Sequence, residues 1–291
     1  MQLHAWADAA LASSSSSHSA DWGFQREELP VWPELAEVVD LLWVLCWHDS
    51  EQALTRAVHL PPRNEVHLLL HLRQHGRPSL ETHGPATRVH TGPPTGSPEI
   101  IGVRLRLGAA RRILSVLMPG LSLRALVDQP RVLDLEPPRL SAREQRLEWL
   151  RRLLREWHAR AEAPDPRVAR FLASGDRGKL SARQLRRLIQ RETGLGPKQL
   201  QRTERFHSAF AALAGAPAPG RAITQGMAAL AADAGYADQA HFCRDFKLST
   251  SLTPEAWRRR GHAACPFSSS PEELQLATRV HAADRISRNT R

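Results

Sequence analysis

The chain has 291 residues, enough for two modest domains that each bury a core. Its formal net charge is +10, and that charge is unevenly placed. Up to residue 163 there are 19 Lys and Arg against 19 Asp and Glu, whereas from residue 164 onward there are 21 against 11. A balanced first part followed by a basic second part is the footprint of a protein in which only the latter meets a polyanion, although a basic solvated surface produces the same count. Cys46, Cys243 and Cys265 lie far apart, which argues against a disulfide framework or a Cys-based metal site. No apolar run approaches membrane-spanning length, and the N-terminus lacks a basic stretch followed by an apolar one. The expectation is a soluble, cytoplasmic protein.

In chain order, residues 1–24 read as a disordered leader, because the serine tract Ser13 to Ser17 has nothing to bury. Residues 25–163 read as a first domain, small and of α+β or mostly β class. Leu35 to Leu45 reads as a short helix running into a strand anchored by Trp43 and Trp47. Val66 to Leu72 alternates with a period of two and predicts a strand with His67, Leu69 and His71 on one face. Ile100 to Leu107 predicts another, with Arg104 and Arg106 on its polar face. Gly and Pro crowd the gaps, as turns between short strands require. Residues 142–160 predict an amphipathic helix with Leu147, Leu150, Leu153, Leu154 and Trp157 on one side. Such a helix closes a domain more often than it forms a dimer. Ala163 to Pro166 (APDP) marks the boundary.

Residues 164–260 predict an all-α domain, divided at Ala216 to Gly220, and residues 261–291 a flexible tail. Two segments in this domain carry chemistry. Ser181 is a good N-cap for a helix on which Leu185, Leu188 and Ile189 share one side and Arg183, Arg186, Arg187 and Gln190 the other. An Arg-rich face at a helix N-terminus suits the major groove, where Arg reads guanine and Gln reads adenine. Further on, Met227, Leu230, Ala231 and Ala234 predict a short bracing helix, Gly235 a turn, and Asp238 the cap of a second helix. That helix turns Phe242 and Phe246 inward and Ala240, Arg244 and Lys247 outward, with Asp245 interrupting the positive face. Two short helices joined by a tight turn are what a helix-turn-helix requires.

The run Gly235–Tyr236–Ala237–Asp238–Gln239–Ala240–His241–Phe242–Cys243–Arg244–Asp245–Phe246–Lys247, with Leu252–Thr253–Pro254 and Trp257–Arg258 after it, resembles the signature of AraC-type transcription regulators. Leu180–Ser181 through Leu195–Gly196–Pro197–Lys198, followed by Arg205–Phe206 and Ala209, is similar to that family's first recognition helix and linking helix. The resemblance spans residues 166–258 and implies two helix-turn-helix units meeting one face of the DNA. It places Arg183, Arg186 and Arg187 at the bases in the first unit, and Gln239, Ala240, His241 and Arg244 in the second. The first domain is more faintly similar to the sensing domain of one subgroup, through Leu60–Pro61, Gly84 to Thr87 (GPAT) and Gly102 to Ala110 (GVRLRLGAA). The implied partners are double-stranded DNA, with a small-molecule effector, RNA polymerase and a second copy of the chain as further candidates; no cofactor is implied. Two departures stand out. A bracing helix of the family is missing before the first recognition helix, where only Ser174 to Gly178 intervenes, so that helix is expected to be loosely aimed. Ser251 stands where the family usually has Gly.

Other readings are a degenerate module acting through protein contacts and a His-rich metal-binding enzyme. His59, His67, His71, His75, His83 and His90 motivate the enzyme, but no His-x-His pair with a carboxylate at a suitable offset appears. Surface or pocket-lining histidines, with no metal and no catalysis, are the expectation.

Overall fold

A computed structural model describes residues 24–47, 58–60, 62–73, 77–88, 90–92, 97–174, 176–214, 226–250 and 252–259. The tail, Ser251, Ala216 to Gly220 and all of the leader except Phe24 lie outside the described residues.

The first domain is built on an antiparallel six-stranded sheet in the order β1–β2–β7–β4–β5–β8. Its strands are β1 (Phe24–Leu29), β2 (Val39–Trp47), β4 (Val66–Leu72), β5 (Ser79–His83), β7 (Glu99–Leu105) and β8 (Arg131–Val132). β3 (Val58–Leu60) and β6 (His90–Gly92) pair separately. A single 3-10 turn (Pro33–Leu35), rather than a full helix, leads into β2. One sheet face carries Leu42, Val44, Leu68, Leu70, Leu80, Ile101 and Val103. Against it pack α1 (Ala110–Leu117), through Ile113 and Leu114, and α2 (Arg143–Arg160), through Leu150, Leu154 and Trp157. α2 therefore closes the domain, because its apolar stripe is spent on this core.

The opposite face is also buried, and here the alternation of the strands misleads. Trp43, Leu45, Leu69 and Ile100 form a second cluster. The Trp43 indole lies across Gly102, where a Cβ would come within 2.0 Å of it. Arg104 is 5% exposed and gives its Nε–H to Asp40 at 2.7 Å, so the expected polar face of β7 is an internal ion pair at that position. His67 is 1% exposed, His71 5% and His83 8%; of the surface or pocket-lining positions that the sequence suggested, the surface is excluded for these three. Strand pairing also brings Glu81 of β5 opposite Leu69 of β4, supplying the carboxylate that linear spacing did not reveal.

Every regular element among the described residues of the second domain is a helix: α3 (Pro166–Ser174), α4 (Ala182–Thr193), α5 (Pro197–Ala214), α6 (Met227–Asp233), α7 (Gln239–Thr250) and α8 (Pro254–Arg259). Phe206, Ala209 and Phe210 of α5 lie in one core with Leu230 and Ala231 of α6 and Phe242 and Phe246 of α7. A separate small core joins Phe171 of α3 to Leu185 and Ile189 of α4, with Leu195 and Leu200. None of the described helices is long and apolar enough to cross a membrane.

Candidate nucleic-acid interface

The two segments singled out by sequence become α4 and α7, and they are built to one plan. α4 starts from a capping box: the Gln184 N–H donates to Ser181 Oγ at 3.2 Å, and the Ser181 N–H donates to Gln184 Oε1 at 2.8 Å. α7 starts with the His241 N–H donating to Asp238 Oδ1 at 2.7 Å. Both helices close on a threonine. Thr193 Oγ1 donates to the Ile189 carbonyl at 2.9 Å and accepts from the Leu195 N–H at 3.1 Å. Thr250 Oγ1 donates to the Phe246 carbonyl at 2.8 Å and accepts from the Leu252 N–H at 3.2 Å. Each threonine is followed by a leucine two residues on and by Pro197 or Pro254 at the first position of the next helix. From cap to closing threonine the two helices have equal length, so Arg187 corresponds to Arg244, Gln190 to Lys247 and Arg183 to Ala240. The parallel runs Thr193-Gly-Leu-Gly-Pro and Thr250-Ser-Leu-Thr-Pro carried this signal in the sequence, and it was missed.

Inward faces differ from outward ones as the helical period requires. Leu185, Leu188 and Ile189 are buried, as are Phe242 and Phe246. Arg183, Arg186, Arg187, Gln239, Ala240, Arg244 and Lys247 are exposed, while Gln190 and His241 are half-buried. All nine nominated residues therefore lie at least partly open on α4 or α7. A concavity lined by Arg167, Arg170, Arg177, Lys179 and Gln184, with Asp176 as its one acidic residue, extends the predominantly basic surface beside the start of α4.

Asp245 does not interrupt the positive face. It is 9% exposed, pairs with Arg202 of α5 at 3.2 Å and lies 3.8 Å from His241 Nε2. It ties α7 to the linking helix instead. Arg205, also on α5, lies over the Tyr236 ring at 5.3 Å, and burial pushes the Tyr236 hydroxyl well above its usual range. Gly235 has φ +79 and makes the turn between α6 and α7.

No helix stands between α3 and α4 among the described residues, as the sequence indicated. The inference of a loosely aimed helix fails, because the support comes from elsewhere. Phe171 of α3 packs on the inner side of α4, with Leu107 and Val127 of the first domain against the same cluster. Arg111 of α1 donates from Nε to both Glu192 oxygens at 3.0 and 3.1 Å, and Glu192 is buried. Gly194, at φ +75, closes α4 against the backbone of Leu123. Asp165 pairs with Arg167 and with Arg191 of α4, which hold its carboxyl well below the usual range. On α5, the ring of His207 donates from Nε2 to the Pro62 carbonyl at 2.6 Å. Burial depresses the basicity of that imidazole, which suits the neutral form.

α4 and α7 are thus two helices of common build, set on either side of the linking helix α5. Residues 176–260 match the family described as a helix-turn-helix domain, of the AraC type. Among solved structures, an apo variant of ToxT from Vibrio cholerae strain SCE256 is similar at 8% identity, covering 82% of this chain and 98% of that one, with a TM-score of 0.35. A second ToxT structure from Vibrio cholerae is similar at 11% identity, covering 81% and 98%, with a TM-score of 0.33. No curated protein matches the chain.

Proposed function

We propose that the chain is a sequence-specific transcription regulator that lays α4 and α7 into successive major-groove segments on one face of the DNA. Arg183, Arg186, Arg187 and Gln190 face the DNA from the first helix, and Gln239, Ala240, His241, Arg244 and Lys247 from the second. The observation that carries this reading is the shared build of the two helices, each capped, closed by a threonine and open on its basic side. A module that had drifted to protein contacts alone has no need of two equivalently supported basic helices. Arg187 and Arg244, at matching positions, are the best candidates for bidentate contacts to guanine. The flanking basic concavity adds phosphate contacts that set register without reading sequence.

The first domain acts as the regulatory part in this reading. It touches α4 through Arg111 and Leu123 and α5 through Pro62, so any effector or second copy that shifts it changes how the first recognition helix is held. RNA polymerase is the natural further partner. Selection of binding sites from random duplex DNA with the full chain tests the proposal. The expected result is an enriched motif with two parts about one helical turn apart. Arg187→Ala should blur one part and Arg244→Ala the other. Enrichment of no motif would refute it.

A further inference from the structure

The most unusual group of side chains in the first domain lies outside the DNA-reading module. His71 of β4 and Glu81 and His83 of β5 stand on one face of the sheet, with ligand atoms all within 4.8 Å of one another. Register explains the meeting. His67 is paired with His83, Leu69 with Glu81 and His71 with Ser79, so Glu81 sits diagonally between the two ring systems. Glu81 Oε2 is 3.2 Å from His83 Nε2 and 3.6 Å from His71 Nε2. Two adjacent donors of a tetrahedral zinc centre, with bonds of about 2.0–2.2 Å, lie roughly 3.3–3.5 Å apart. The two measured separations straddle that value.

Further features favour a cation over a structural hydrogen-bond knot. His71 is 95% buried by the complement of its 5% exposure, yet its Nε2 has no hydrogen-bond partner and is aimed at the shared oxygen. Its Nδ1 lies 3.4 Å from Ser97 Oγ, which orients the ring as outer partners of metal-bound histidines do. The charged neighbours divide in a useful way. Arg73 approaches the other carboxylate oxygen, Oε1, at 3.5 Å, leaving Oε2 to the rings.

We propose that His71, Glu81 and His83 form a binding site for a divalent transition-metal ion of the zinc class. Three protein ligands leave a fourth position for water or an external donor. The Glu81 carboxylate and two imidazoles form a nitrogen- and oxygen-based set, which favours zinc-class ions over calcium or magnesium.

The test uses the full chain, freed of metal with a chelator and titrated with Co²⁺ alone. The expected result is one equivalent bound, with the visible absorption of a tetrahedral Co²⁺ site that Zn²⁺ then bleaches. His83→Ala should abolish that absorption. Glu81→Gln is nearly isosteric and partly exposed, so it should fold even if His83→Ala does not, and it should weaken Co²⁺ binding by at least about tenfold. Absence of a tetrahedral spectrum in the native chain would overturn the proposal. So would an unchanged spectrum in Glu81→Gln, since the ion would then sit on other histidines.

Discussion

Replacing Gly194 by alanine isolates the contact between the first recognition helix and the first domain, because Gly235 provides a control within the same chain. Both glycines have nearly the same backbone, φ +75 and φ +79, and each ends a helix of a helix-turn-helix unit. The cost of an L-residue in this left-handed region is about 1–2 kcal/mol and should apply to both. Their surroundings differ. A Cβ on Gly235 would meet only the flexible Arg205 side chain, at 3.7 Å. A Cβ on Gly194 would lie 2.8 Å from the Leu123 carbonyl oxygen and 2.9 Å from its carbon. Those are backbone atoms, so no rotamer change relieves the overlap, and α4 must back away from the first domain. Overpacking of this kind adds about 1–3 kcal/mol. Gly194→Ala should therefore cost about 2–5 kcal/mol and Gly235→Ala about 1–2 kcal/mol. With about 2–4 °C per kcal/mol for proteins of comparable size, thermal melts followed by circular dichroism should separate the variants by several degrees. Equal losses would mean that Gly194 does not bear on Leu123, and the reasoning about how α4 is held would fail.

Other consequences can be checked alongside. Arg187→Ala and Arg244→Ala should each reduce discrimination between a selected site and scrambled DNA by about 1–3 kcal/mol in anisotropy titrations, and equal weakening on both DNAs would reduce these residues to phosphate contacts. His207 is buried with its basicity depressed, so the unfolded chain takes up a proton that the folded chain resists. Stability should fall as pH drops below the ordinary histidine value of about 6.5, and in urea titrations a His207→Gln variant should show a shallower fall; an unchanged slope refutes this. Asp245→Asn should cost about 1 kcal/mol by loosening α7 from Arg202, a contact half open to water. A double-mutant cycle with Arg202→Gln should recover that coupling, and strict additivity would deny it.

What could be read from the sequence depended on whether the signal was local. α4 and α7 were legible because caps, apolar period and basic face lie within one segment; Ser181 and Asp238 cap where expected. The strands β4 and β7 were legible as strands, but not as buried on both faces. Alternation encodes which side chains share a face and says nothing of what covers it, so Arg104 read as solvent-facing although it pairs with Asp40. Asp245 read as a flaw in a positive face because its partner, Arg202, belongs to a different helix. The support of α4 was missed for the same reason, since Arg111 and Leu123 come from the other domain. His71 meets Glu81 and His83 only through strand register, which no linear motif describes.

In the proposed function residues 164–260 supply the DNA contacts, through α4 and α7. The affinity of the full chain for a selected duplex over a range of salt concentrations, measured beside that of residues 1–163, checks this. Binding by the full chain and not by residues 1–163, weakening steeply with salt, is the expected result. If the chain makes about 6–10 phosphate contacts, roughly 10³–10⁵ in affinity should be lost between about 50 and 200 mM salt. Binding by residues 1–163 alone, or a full chain that binds no DNA or binds it without regard to salt, would contradict it.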